Sequence, residues 1–169
     1  LPPQSLRHPP NPAAPVLSVP TPGGTRDNNL PVSLYWNVPL SGWGFNCSGG
    51  SNTFTTYFDA NPDPGTAICS SLPSTTNTCQ TGSLNQGTNY RWKVRANNGV
   101  LSTDSSIWYF NSCTESAPAV PVLSSPGNTT RLTTVSTNLQ WLETSWGKNC
   151  SGSQPNTYTA NLTVTSGTQ

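Results

Sequence analysis

The sequence predicts an all-β protein: a seven-stranded antiparallel two-sheet sandwich followed by an incomplete second copy of the same module. Three observations predict it. Apolar and polar residues alternate with a period of two in several short runs. Gly, Pro and Asn punctuate those runs at short intervals. Four sequence blocks from the N-terminal part recur, in the same order, toward the C terminus.

Composition sets the frame. The 169 residues suit one or two small domains. Seventeen Pro and fourteen Gly, with abundant Ser, Thr and Asn, favour short strands and turns over long helices. The hydrophobic fraction is 32%, but six Trp, five Tyr and four Phe carry much of it, so a core is within reach of few residues. Charged residues are 8% and the formal net charge is +1, which gives no electrostatic case for nucleic acid or an anionic membrane. No apolar run is long enough to cross a bilayer. The chain reads as a mature, processed protein or an excised fragment.

The elements follow in chain order. Residues 1–14, with Pro2, Pro3, Pro9, Pro10 and Pro12, read as an extended arm or linker. Strands are expected near residues 15–20, 31–38, 53–60, 66–72, 76–83, 89–97 and 105–112. The clearest is the sixth. Tyr90, Trp92, Val94 and Ala96 face one way, and Arg91, Lys93 and Arg95 face the other. Asn97-Asn98-Gly99 then turns the chain, and Ser105 to Phe110 returns. Phe54, Thr56 and Phe58 alternate in the third strand.

The internal repeat is the most informative feature. Pro15-Val16-Leu17-Ser18-Val19-Pro20 recurs as Pro121-Val122-Leu123-Ser124-Ser125-Pro126. Leu34-Tyr35-Trp36 recurs as Leu139-Gln140-Trp141. Trp43-Gly44-Phe45-Asn46-Cys47-Ser48-Gly49 recurs as Trp146-Gly147-Lys148-Asn149-Cys150-Ser151-Gly152. Asn52-Thr53-Phe54-Thr55 recurs as Asn156-Thr157-Tyr158-Thr159. The offset drifts only from 106 to 103 residues. Residues 15–113 are therefore expected to form a complete domain. Residues 114–169 are expected to supply the first three strands of another, with nothing equivalent to residues 66–113. That half-domain would expose Trp141, Tyr158, Leu162 and Val164, and two explanations are open: the natural chain continues beyond residue 169, or a neighbouring subunit completes the half-domain by strand addition.

Particular residues resemble the fibronectin type III family. Leu34-x-Trp36-x-x-Pro39 is similar to that family's second strand. Leu84-Asn85-Gln86-Gly87-Thr88-Asn89-Tyr90, running into Arg91-Trp92-Lys93-Val94-Arg95-Ala96, resembles its turn, tyrosine corner and sixth strand. Ser106-Ile107-Trp108-Tyr109-Phe110 resembles its last strand. The resemblance covers residues 13–113 and, through the repeat, 118–165. It implies a sandwich used for adhesion, spacing or display, without fixing one function. The Trp-Gly-x-Asn-Cys-Ser-Gly loop and the cysteines depart from the family pattern.

Five cysteines with no C-x-x-C pair, and one histidine in the arm, read as disulfides of an oxidising compartment rather than zinc ligands. Cys69 and Cys79 are close in sequence, on adjacent expected strands, and pair naturally. If the family topology holds, Cys47 and Cys113 lie at opposite poles of one domain. The expected second bridge is then Cys113–Cys150, between domains, with Cys47 bonded to another unit. A Cys47–Cys113 bridge with Cys150 free is the alternative. Sequons at Asn46, Asn128, Asn149 and Asn161 point to covalent glycans on a secreted or cell-surface product.

Catalytic patterns are missing from the sequence. The six acids are scattered, mostly in expected turns, and one His gives no hydrolase triad. Asp59-Ala60-Asn61-Pro62-Asp63 begins like a calcium loop, but Pro64 and Ser70 stand where that loop needs Gly and Glu. No cofactor or metal is expected. Arg91, Lys93 and Arg95 form a basic stripe, read as a solvated face or a contact for glycans or a neighbour. Trp43 and Trp146 read as covers for the adjoining disulfides or as sugar platforms.

The resulting expectation is a non-enzymatic structural subunit of a glycosylated extracellular filament or surface array, whose partners are copies of itself or adjacent repeats. A carbohydrate-binding or adhesion module within a larger secreted protein is the alternative. A spacer beside an enzyme domain ranks last.

Overall fold

The structure is a computed structural model and describes residues 11–27, 30–38, 42–44, 49–128, 131, 136–150 and 156–163. The first ten residues of the expected arm lie outside the described residues. The chain divides into two compact units, Leu1–Thr114 and Glu115–Gln169.

Unit 1 is a β-sandwich of two sheets whose strands pair almost entirely antiparallel. Its strands are β1 (Val16–Val19), β2 (Thr25–Arg26), β3 (Ser33–Asn37), β4 (Thr53–Asp59), β5 (Ala67–Pro73), β6 (Thr78–Gln80), β7 (Asn89–Asn97), β8 (Ser102–Asp104) and β9 (Trp108–Ser112). One sheet has the order β1-β3-β6. The other runs β2-β9-β7-β4-β5, with β8 also on β7. The pairings are antiparallel except the short β2–β9 contact, which is parallel.

Period-two alternation becomes the two inner faces. Leu17, Leu34, Trp36 and Cys79 come from the smaller sheet. Phe54, Phe58, Tyr90, Trp92, Val94, Ala96 and Phe110 come from the larger one. Trp36 and Phe54 meet edge to face across the interior, with centroids 5.6 Å apart. Phe58 stacks on Tyr90 at 4.7 Å and also contacts Phe110 at 5.8 Å. The Tyr90 hydroxyl accepts a hydrogen bond from the Asn85 N–H at 2.9 Å, which ties the expected tyrosine corner to its turn.

Two short strands escape the sequence pattern. β2 and β8 have two and three residues, too few to display a period. The return strand expected at residues 105–112 begins only at Trp108, and the separate strand β8 precedes the expected range. β8 pairs with the far end of β7, β9 with its near end, and Ser105 bridges the gap. The Ser105 N–H donates to the Val94 carbonyl (2.8 Å), while its hydroxyl accepts from the Val94 N–H (3.0 Å). A side chain thus replaces one rung of the ladder.

Unit 2 contains β10 (Val122–Ser125) and β11 (Gln140–Leu142), which form a two-stranded antiparallel sheet. Their pairing copies β1–β3. Leu123 faces Trp141 as Leu17 faces Trp36, and the same irregularity interrupts both registers. The expected third strand differs. Residues 156–163 belong to no strand, and Val164 lies outside the described residues. The reason is the ladder. Its counterpart β4 bonds to β5 and β7, and unit 2 has no counterpart of either among its described residues.

Trp36→Ala is expected to destabilise unit 1 by about 3–5 kcal/mol, and Tyr90→Phe by about 1 kcal/mol. Equilibrium urea denaturation read by Trp fluorescence checks both.

Candidate interaction surfaces

The first surface is the open side of unit 2. In unit 1 the residues Leu17 and Phe58 are 4% and 8% exposed, whereas their repeats Leu123 and Leu162 are 79% and 81% exposed. The local sequence is similar. In unit 1 both residues belong to a core cluster to which β7 and β9 contribute Tyr90, Trp92, Val94, Ala96 and Phe110, and unit 2 has no counterpart of these strands among its described residues. Trp141, Leu139, Leu123 and Leu162 line a groove of about 380 Å³ together with Pro121 and Ala160. Tyr158 meets Trp141 at 5.3 Å and Trp146 at 4.3 Å, which leaves a small aromatic cluster at one end.

The two tryptophan loops share one design. Trp43 is half-buried and packs on Phe54 at 4.8 Å, as Trp146 packs on Tyr158. The Trp43 carbonyl accepts from the Asn98 side-chain amide at 3.0 Å. The Asn98 side-chain Oδ1 in turn accepts from the Val100 and Leu101 N–H groups, which makes the turn after β7. The glycine after each Trp has positive φ, 71° at Gly44 and 70° at Gly147. At Gly147 a Cβ would also collide with the backbone of Ser116 and Ala117, so side-chain-bearing residues are excluded twice. The loop is held there by reciprocal hydrogen bonds between Ser116 and Lys148, both 3.0 Å. In unit 1, the Ala13 N–H donates to the Gly42 carbonyl (3.2 Å), and Pro12 is fully buried.

The second surface is the outer face of β7, where sequence reading placed a basic stripe. Its charges meet partners within unit 1. Lys93 is 8% exposed, with its Nζ bonded to Asp63 and 3.3 Å from Asp104. Arg95 makes a two-pronged contact with Asp104 at 2.6 and 2.9 Å. Both cations lie over the Tyr57 ring, at 5.6 and 5.1 Å. Arg91 donates to the Ala60 carbonyl at 3.3 Å. The hydrogen bond from Lys93 to Asp63 raises the Lys93 pKa, and burial partly opposes it. The Arg95 hydrogen bond holds the Asp104 carboxyl below its usual range against the effect of burial. Sequence periodicity places Lys93 correctly on the outer face. It could not reveal burial there, because Asp63 is thirty residues away in the chain.

Asp59, weighed above as the start of a calcium loop, caps a turn instead. Its carboxylate accepts from the N–H groups of Asn61 (2.7 Å), Gly65 (2.9 Å) and Thr66 (3.0 Å). Burial pushes its pKa up, but these bonds outweigh that and bring it from 3.8 to about 2. Among the described residues, no three His, Cys, Asp or Glu side chains cluster as metal ligands would.

Cys69 and Cys79 are bonded, with Cα atoms 6.3 Å apart. They join β5 to β6, the strands that end the two sheets on the same side, so the bridge closes one edge of the sandwich. Cys113 and Cys150 are buried, and each is disulfide-bonded. Cys47 and Asn46 lie outside the described residues. Asn128, Asn149 and Asn161 are exposed. No described helix is long and apolar enough to cross a membrane.

The chain matches no protein-family model and no curated protein. Among solved structures it is similar to the crystal structure of chicken CNTN1 FN1-FN3 domains, at 15% identity and a TM-score of 0.43. That likeness covers 69% of this chain, which spans 38% of that one. The sandwich assignment rests on the strand pairings of unit 1.

Two predictions arise here. Asp59 has a folded pKa below its unfolded value, so its contribution to stability is present above about pH 4 and is lost as pH falls toward 2. Asp59→Ala is expected to flatten part of the acid limb of stability between those values, measured by urea titrations across pH. Replacing Cys69 and Cys79 together by Ser is expected to cost about 2–3 kcal/mol through the freed loop, checked by the shift in urea midpoint.

Proposed function

We propose that the chain is a non-enzymatic structural subunit of an extracellular, glycosylated assembly, joined end to end through its open half-domain. The observation that carries this reading is the pair of unequal copies. One face is closed in unit 1, and the equivalent face in unit 2 is open. Fully burying a large apolar side chain is worth about 1.5–3 kcal/mol, so covering several at once supplies a driving force for association. Completion of each unit by the next would pass the same contact from molecule to molecule, which builds a filament rather than a closed ring when the rotation does not close.

The cysteines support the same reading. Cys113 lies at the end of unit 1, Cys150 in the tryptophan loop of unit 2, and both are buried and disulfide-bonded. A Cys113–Cys150 bridge would bolt consecutive modules together. By the repeat, Cys47 is the counterpart of Cys150, but the position 106 residues before Cys113 is Arg7. The partner for Cys47 is then a cysteine at the end of a preceding unit. The disulfides and exposed sequon asparagines fit an extracellular setting.

Non-reducing electrophoresis with negative-stain microscopy of native material tests the proposal. Covalent ladders that collapse with Cys47→Ser, together with fibres, are expected. A compact monomer that retains an accessible Cys47 thiol and binds a glycan array contradicts assembly and favours the adhesion-module reading.

A further inference from the structure

We propose that a groove on the outer face of β1 and β3 in unit 1 is a docking site for the Pro-rich segment Leu1–Pro10 of a second copy of this chain, taken up in a polyproline II conformation. The contact goes beyond the reading above. It joins copies through unit 1 and makes no use of the open half-domain.

A comparison of the two copies marks the groove. Val19 of β1 lies opposite Tyr35 of β3, and they are 45% and 41% exposed. With Pro20, Leu30 and Pro31 they line a hollow of about 290 Å³, to which Arg26 and Asp27 add one charge of each sign. In unit 2 the same pairing sets Ser125 opposite Gln140. By the repeat, Pro31 is matched by Ser136. The inward residues do not change: Leu17 is matched by Leu123, Leu34 by Leu139 and Trp36 by Trp141. The strand pair therefore needs its inward set and forms equally well with polar residues outside. The apolar outward set of unit 1 is not there to make the strands, and a contiguous exposed apolar patch marks an interaction surface.

The lining and the remaining chain together select the occupant. Grooves walled by aromatic rings take polyproline II segments, whose stiffness keeps the entropy cost of docking low. Residues 1–10 carry Pro2, Pro3, Pro9 and Pro10, with Leu1 and Leu6 as further apolar contacts. A polyproline II backbone has no internal hydrogen bonds, so its carbonyls are open to a donor such as the Arg26 guanidinium. Charge agrees. The formal charge in the segment's side chains is Arg7, and the groove supplies Asp27 to meet it. Geometry selects a second copy as the source. The segment joins unit 1 at the start of β1, where Pro12 is buried and the Ala13 N–H is held by the Gly42 carbonyl, whereas Val19 ends β1. To fill its own groove the chain would have to reverse at Asn11, between Pro10 and Pro12, and a residue before proline is held extended. Ten residues in this conformation reach about 31 Å, enough to enter a neighbour's groove.

The test uses the full chain, labelled with nitrogen-15, and a synthetic peptide of residues Leu1–Pro10. Expected are amide shifts at Val19, Ser33 and Tyr35. Shifts confined elsewhere, or none at millimolar peptide, overturn the site. Giving unit 1 the residues of its own second copy, Val19→Ser with Tyr35→Gln, should weaken the peptide about tenfold or more and leave the urea midpoint unchanged. Undiminished binding to that double variant also overturns the site. Arg7→Glu in the peptide should weaken binding, and Asp27→Arg in the chain should restore it. A crosslink decides the source. Tyr35 is replaced by p-benzoylphenylalanine, and heavy- and light-isotope batches of the chain are mixed and irradiated. Heavy–light links from position 35 to residues 1–10 are expected. Links confined to one isotope class, or none to these residues, overturn the second copy as occupant.

Discussion

The molecule depends on one layer of contact, in which Trp36 and Leu34 of β3 lie against Phe54, Trp92 and Val94 of β4 and β7. All five are fully buried. No strand of unit 1 satisfies both its backbone and its side chains by itself. β3 needs β1 and β6 for its hydrogen bonds, and it needs the opposite sheet for its indole. β4 needs β5 and β7 for its ladder, and it needs β3 to cover Phe54. The core and the ladders are therefore acquired together, which is the physical basis of cooperative folding in small sandwiches.

The same dependence explains unit 2. β10 and β11 are local enough to pair, and they reproduce the register of β1 and β3, including its irregularity. The segment after the second tryptophan loop has no such local partner. Its alternation persists in sequence, while the strand itself is missing. Two stretches that share their alternation thus adopt different local structure, one with ladder neighbours on both sides and the other with none among the described residues. Strand formation at this site depends on a ladder neighbour more than on the alternation of the segment itself.

What could be read from the sequence follows the range of each interaction. β7 was legible because nine residues alternate without interruption. The tyrosine corner was legible because Tyr90 and its turn are neighbours in the chain. The Cys69–Cys79 bridge followed from a short loop. β2 and β8 were hidden because they are too short to carry a period, and Ser105 because its role depends on its position beside Val94. Lys93 looked solvated because Asp63 comes from a distant turn. Asp59 could be weighed as a metal ligand from its neighbours' spacing, but its three amide partners are set by the fold of the turn. The open face of unit 2 was legible in outline, since the repeat shows which residues cover the equivalent face of unit 1.

Amide hydrogen exchange on the dilute, unassembled chain tests the central claim most directly, because it reads ladder formation residue by residue. The account predicts slow exchange along β3, β4 and β7, and near-unprotected exchange along 156–163. Protection of 156–163 comparable to that of β4 in the isolated chain would contradict it.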